Sequence, residues 1–225
     1  MDVSTNLAEI NAIIEESCQK VNRQPDEITI IAVTKYVTID RTKEVIDAGI
    51  VNLGENRQEG FMEKYNSFKE QVNWHFIGSL QTRKVKDIIE KVDFIHSLDR
   101  LSLAKEINKR TTKTVGCFVQ VNVSGEESKH GLDPKNVLSF IEEVAVYTNI
   151  RIVGLMTMAP YTDNKQLIHN VFRELRELRD TVKAKQFNHA PCEYLSMGMS
   201  NDFDIAIEEG ATHIRIGSKL VGSNK

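Results

Sequence analysis

The chain has 225 residues, 40% hydrophobic and 27% charged, the balance of an ordinary globular protein. Its 29 basic and 32 acidic side chains leave a formal charge of −3, so no basic excess is available to attract nucleic acid or an anionic membrane. No apolar stretch approaches the ~20 residues of a membrane span, and the N-terminus "MDVSTNLAEI" lacks the basic and apolar parts of a signal peptide.

Three scattered cysteines, Cys18, Cys117 and Cys192, show neither disulfide nor metal spacing and read as reduced thiols of a cytoplasmic protein. With only 4 prolines and no Pro/Gly/Ser linker, a single domain over residues 1–225 is expected.

An amphipathic helix from about Leu7 to Val21 comes first, with Leu7, Ile10, Ile13, Ile14 and Val21 on its apolar stripe. Next is "ITIIAVTK", a β-branched run typical of a parallel strand buried on both faces. It ends in Lys35, which alternation puts on the face of Val33 and Ile31. If that face looks into a barrel mouth, the amine rests on apolar side chains, and desolvation favours its neutral, nucleophilic form. A solvated lysine in a loop fits the same stretch.

In "IDRTKEVIDAG", Asp40 reads as an N-cap and Gly49 as a C-terminal stop. The strand "VNLGE" leads to Asn56, placed either to reach a ligand or to cap a helix. "WHFIGS" carries His75, which reads as a satisfied core histidine, and "TRKVKDIIEKV" has helical spacing. "FIHSLD" and "VGCFVQVNV" follow, and the second runs into the polar loop "SGEESKHG" with Lys129 and His130. That loop reads either as solvated and mobile or as the bearer of a second amine for a carbonyl ligand.

A helix beginning with Asp133 as N-cap and Pro134 at its first position precedes "IRIVGLMTMA". A long helix with Leu167, Val171, Leu175, Leu178 and Val182 on its apolar stripe precedes "YLSMGMS". Asp202 reads as the cap of the helix "DFDIAIEEG", and "HIRIGS" is the last strand.

Eight strands alternating with helices imply a parallel sheet, and here a (β/α)8 TIM barrel of the α/β class with an extra N-terminal helix. That helix covers the gap left by the short tail "KLVGSNK". A doubly wound open sheet is the alternative, but its G-x-G-x-x-G turn is absent after the first strand.

Barrel chemistry sits at the C-terminal strand ends, and phosphate commonly binds after strands 7 and 8. There Gly198, Ser200 and Asn201 face Gly217 and Ser218, small and hydroxyl-bearing residues suited to an anion. Arg215, two residues before Gly217, points inward and needs a partner, while Ile214 and Ile216 point outward. The implied ligand has a carbonyl for Lys35, a phosphate for the cradle and an acceptor for Arg215. Pyridoxal 5′-phosphate has all three; a sugar phosphate held by a Schiff-base aldolase has the first two.

The motifs "AVTK", "GEN", "HFIGSLQTRK", "IHSLDR", "GLMTMAP" and "SMGMSNDFDIAIEEGATHIRIGS" resemble those of the YggS/PROSC family of pyridoxal phosphate homeostasis proteins. The barrel of that family is like the N-terminal domain of alanine racemase. The resemblance implies that Lys35 holds pyridoxal 5′-phosphate as a Schiff base and that Asn56 faces its ring. It further implies that Ser200, Gly217 and Ser218 bind the phosphate and that Arg215 approaches the pyridine nitrogen. No metal is implied. The sequence departs from the family pattern at its end, where Val221 stands in the place of an aromatic residue.

The same resemblance implies a carrier or buffer of the cofactor rather than an enzyme, with pyridoxal phosphate-dependent apoenzymes as recipients. Racemase-type catalysis uses a second domain and a tyrosine from the partner subunit. The chain ends after the barrel, so an open cofactor and a monomer are expected. A weakly active amino-acid racemase is the second reading, and a sugar-phosphate aldolase the third.

Overall fold

The computed structural model describes residues 2–127 and 129–222. Eight parallel strands close into a barrel in chain order. They are β1 (Thr29–Val33), β2 (Asn52–Glu55), β3 (Asn73–Phe76), β4 (Phe94–Leu98), β5 (Val115–Gln120), β6 (Ile150–Met156), β7 (Tyr194–Met199) and β8 (His213–Ile216). Closure runs through β1 and β8, where Thr29 to Ala32 pair with His213 to Ile216. The TIM barrel expected from the strand count is therefore the observed fold.

The helices are α1 (Val3–Lys20), α2 (Ile39–Asp47), α3 (Gln58–Phe68), α4 (Val85–Ile88), α5 (Leu101–Arg110), α6 (Val137–Val144), α7 (Lys165–Ala184), α8 (Phe203–Glu208) and α9 (Ser218–Val221). Among the described residues none is long and apolar enough to cross a membrane.

Outward-facing strand residues such as Leu53, Trp74, Ile95, Leu195 and Ile214 form one continuous core with the helices. The barrel interior is filled differently, by Phe118, Val153 and Met156 together with stacked aromatic and imidazole rings. His75 stacks on Phe94 at 4.7 Å, and His96 on Phe118 at 4.2 Å.

Helix α1 closes the side left open by the four-residue α9. It buries Ile10, Ile14 and Cys18 against the barrel. Asn6 Nδ2 donates to the Leu220 carbonyl at 2.8 Å, and Arg23 donates to the Ile207 carbonyl at 3.0 Å.

Three local expectations are corrected. Thr38, not Asp40, caps α2: its hydroxyl accepts from Arg41 N at 3.2 Å, and Asp40 falls in the first turn. "TRKVKDIIEKV" makes only a 3₁₀ turn and the single-turn α4, although Val85, Ile88, Ile89 and Val92 are buried as the spacing predicts. Leu167 lies outside the stripe of α7 and is exposed, while Val171, Leu175 and Val182 are buried. Asp133 caps as expected, accepting from Lys135 N, and Pro134 opens the 3₁₀ turn that leads into α6.

Candidate functional site

A cavity of about 930 Å³ opens at the C-terminal ends of the strands. Lys35, Asn56, Ser200, Arg215, Gly217 and Ser218 all line it, with Asn201 and His130, whereas Gly198 and Lys129 are not among the lining residues.

Strand β1 ends at Val33, and the chain then turns, with Val37 N donating to the Thr34 carbonyl at 3.1 Å. Lys35 sits in that turn and is exposed, its Nζ 5.0 Å from the centre of the Tyr36 ring. Of the two readings of Lys35, the exposed loop lysine is the one found, because β1 stops two residues before it; Val33 lines the same cavity. What fixes Lys35 is its neighbour. Thr34 is fully buried, its hydroxyl donates to Glu55 Oε1 at 2.7 Å, and its N–H donates to the Gly54 carbonyl at 3.2 Å.

Glu55 points outward from β2, and Asn56 follows it into the cavity. Asn56 Oδ1 is buried without a hydrogen-bond partner among the described residues. The residue therefore does not cap α3; Arg57 occupies that position. Gly78, at the end of β3, allows this approach, because a Cβ there would lie 2.2 Å from the Asn56 carbonyl oxygen.

The loops after β7 and β8 meet at Ser200, whose Oγ accepts from Lys219 N at 3.4 Å. Gly217 precedes α9, and the first turn of any helix leaves N–H groups without intrahelical partners. Asp202 stands before α8 but does not cap it. Its carboxylate turns back to accept from Met199 N at 2.6 Å, and burial raises its pKa.

Arg215 is buried on the barrel floor, with Ile214 and Ile216 packed outward as expected. Its partners are neutral: Nη1 donates to Ser196 Oγ at 2.6 Å and Nη2 to the Thr157 carbonyl at 3.0 Å. Burial lowers its pKa to about 10, with Asp202 opposing, so it stays charged at neutral pH.

Because β1 and β8 are neighbours, Lys35 and the Gly217–Ser218 turn lie side by side. A Cβ on Gly217 would sit 3.6 Å from that of Val33. On the rim, His130 lines the cavity, and Lys129 is held by Glu126 Oε2 at 2.5 Å and the Met158 carbonyl at 3.4 Å. Sequence reasoning missed Ser196 and Thr157, which hold the guanidinium. Ser196 was readable as an inward residue of β7, alternating with Leu195 and Met197, which pack outward.

A family model described as alanine racemase, N-terminal domain, matches residues 27–225. The pyridoxal phosphate homeostasis protein of Aquifex aeolicus is 41% identical over the full length of both chains. That of Pseudomonas aeruginosa is 34% identical over 98% of this chain and 95% of its own. Among solved structures, PipY of Synechococcus elongatus with PLP bound is 28% identical with a TM-score of 0.81, covering 93% of this chain and all of its own. An alanine racemase of Clostridium difficile, 15% identical, shares the fold with a TM-score of 0.79 over 97% of this chain and 56% of its own. Matched end to end at this identity, the chain belongs to the pyridoxal phosphate homeostasis protein family, on the barrel of the alanine racemase N-terminal domain.

Proposed function

We propose that the protein binds pyridoxal 5′-phosphate through Lys35 and carries or buffers it. The observation that carries this reading is the adjacency, in one cavity, of an amine and an anion cradle on neighbouring strands, above a buried guanidinium. The cofactor bears its aldehyde and its phosphate arm on adjacent ring carbons, with the ring nitrogen on the far side of the ring. Asn56 Oδ1, buried and unpartnered, supplies an acceptor for a polar group of the ligand. Several relatives carry the name pyridoxal phosphate homeostasis protein, and the PipY structure holds PLP.

When bound, the cofactor supplies an aldehyde that forms a reversible carbon–nitrogen bond with an amine and a pyridine ring that can withdraw electrons. Lys35 offers the amine. Ser200, Gly217 and Ser218 bind and orient the phosphate. Arg215 donates toward the ring nitrogen and, having only N–H donors, leaves no proton there. A ring held unprotonated withdraws electrons weakly, which favours carriage over carbanion chemistry.

Delivery to pyridoxal phosphate-dependent apoenzymes, action as a monomer and a cytoplasmic location belong to this proposal. A second reading, weak amino-acid racemase activity, is favoured by Tyr36, His130 and Tyr161 on the cavity rim. It predicts exchange of a substrate α-proton with deuterated solvent, lost in Lys35→Ala.

The first test is the absorbance of the purified protein before and after borohydride, with peptide mapping. A yellow protein whose reduced pyridoxyl group maps to Lys35 is the expected result. A protein that stays colourless with added pyridoxal phosphate overturns the proposal.

A further inference from the structure

Beneath the cavity a chain of side chains crosses the barrel interior. Ser196 Oγ, which accepts from Arg215 Nη1, lies 2.9 Å from His96 Nδ1. His96 Nε2 lies 2.9 Å from His75 Nδ1, and His75 Nε2 lies 3.1 Å from Asn52 Oδ1. At the opposite end of the barrel Asn73 Nδ2 donates to that same Asn52 oxygen at 3.1 Å. His75, His96 and Ser196 are at most 1% exposed. The cofactor reading assigns them no role.

The two ends fix the direction of every proton. A guanidinium can only donate, so Ser196 accepts from Arg215 and has its own proton to place. His96 Nδ1 is the acceptor in reach, which puts the His96 proton on Nε2. That N–H donates to His75 Nδ1, and the His75 Nε2–H donates to Asn52 Oδ1, an oxygen that can only accept. The reverse order would give Ser196 two donors and leave its hydroxyl proton without an acceptor among the described residues. A buried hydroxyl proton left that way is costly.

We infer that Ser196, His96 and His75 form a one-directional hydrogen-bond chain of neutral groups that positions Arg215 as a pure donor to the bound ligand. The inference rests on the reading of Arg215 as a contact of the cofactor. The surroundings agree with neutral rings. The faces of Phe94 and Phe118 cover the imidazoles; His213 bears on His75, and His75, Arg215 and His213 bear on His96. Burial holds both histidines well below the usual histidine range, and those neighbours add to the effect. The nearby carboxyl, Asp202, acts on Arg215.

The test begins with the ligand-free wild type labelled with 15N in its imidazoles, the signals assigned with His75→Gln and His96→Gln. Both rings are expected as neutral Nε2–H tautomers, unchanged between about pH 5 and 8, where an ordinary histidine titrates. An Nδ1–H tautomer in either ring, or an ordinary titration in that range, overturns the chain. The second measurement uses Ser196→Ala, which removes one acceptor of the guanidinium and the donor to His96. The His96 tautomer is expected to lose its fixed state, and the dissociation constant for pyridoxal 5′-phosphate to rise roughly tenfold, the effect of one hydrogen bond to a charged group. Wild-type affinity with an unchanged His96 signal overturns the positioning role. A wild type that binds no pyridoxal phosphate refutes the proposed function instead, and the tautomer measurement still decides the chain.

Discussion

The perturbation most exposed to refutation is Lys64→Met. Lys64 Nζ, on α3, meets Glu55 Oε1 at 2.9 Å, and the two side chains are only 4% and 1% exposed. Glu55 Oε1 also accepts from the Thr34 hydroxyl, while Oε2 has no partner among the described residues. Methionine keeps most of the apolar stem but removes the ammonium, leaving a buried carboxylate with a single neutral donor. Breaking a buried pair in this way costs about 3–5 kcal/mol. For a chain of this size that corresponds to a melting temperature lower by roughly 6–20 °C. Urea unfolding followed by circular dichroism measures the loss directly. The double variant Glu55→Leu/Lys64→Met is expected to regain most of it, because the uncompensated charge is gone. A loss under about 1 kcal/mol in Lys64→Met, or a double variant no better than the sum of its singles, refutes the account.

Three other outcomes follow from the same structure. Removing residues 1–20 strips Ile10, Ile14 and Cys18 from the core and the Asn6 bond from Leu220, so calorimetry should show a loss of at least about 5 kcal/mol; an unchanged melting temperature refutes the covering role of α1. Gly198→Ala should cost at least about 2 kcal/mol, since Gly198 has φ +92° and a Cβ would lie 2.6 Å from that of Ala206. Gly49→Ala, at φ +95° in open space, should cost only about 1 kcal/mol, and equal losses in the two variants refute the packing argument. His213 has its pKa lowered from 6.5 to about 4, chiefly by burial. Its contribution is complete above pH 6.5 and is lost as the pH falls toward about 4, a total of roughly 3 kcal/mol. The unfolding free energy of the wild type should therefore fall by that much more than that of His213→Gln between pH 6.5 and about 4, and parallel curves refute the assignment.

The strands were legible because a parallel strand buried on both faces leaves a continuous apolar run, and every such run became a barrel strand. Helix ends were less legible, since Thr38 and Asp40 are both good caps and only backbone geometry chooses between them. The cavity-lining positions were legible because the fold puts strand ends at one mouth; the placement of Ser200, Gly217 and Ser218 needed no more than that rule. The exposure of Lys35 was not, because it depends on where β1 stops. Nor was the interior chain. His96 and Ser196 are 100 residues apart, and only barrel closure brings their alternating faces together.

The two cations of the site are held in opposite ways, and the contrast bears on its function. Arg215 is buried, doubly anchored by neutral acceptors and fixed in orientation. Lys35 is exposed on a turn anchored by the buried Thr34 beside it. Condensation of an aldehyde with the Lys35 amine would release water and hydrolysis would consume it, and an exposed amine admits both. In the proposed complex, drawing electrons into the ring would need a proton on its nitrogen, and Arg215, having only N–H donors, would supply none. A site with its reactive group in solvent and its electrostatics locked on the floor is suited to taking up a ligand and releasing it unchanged.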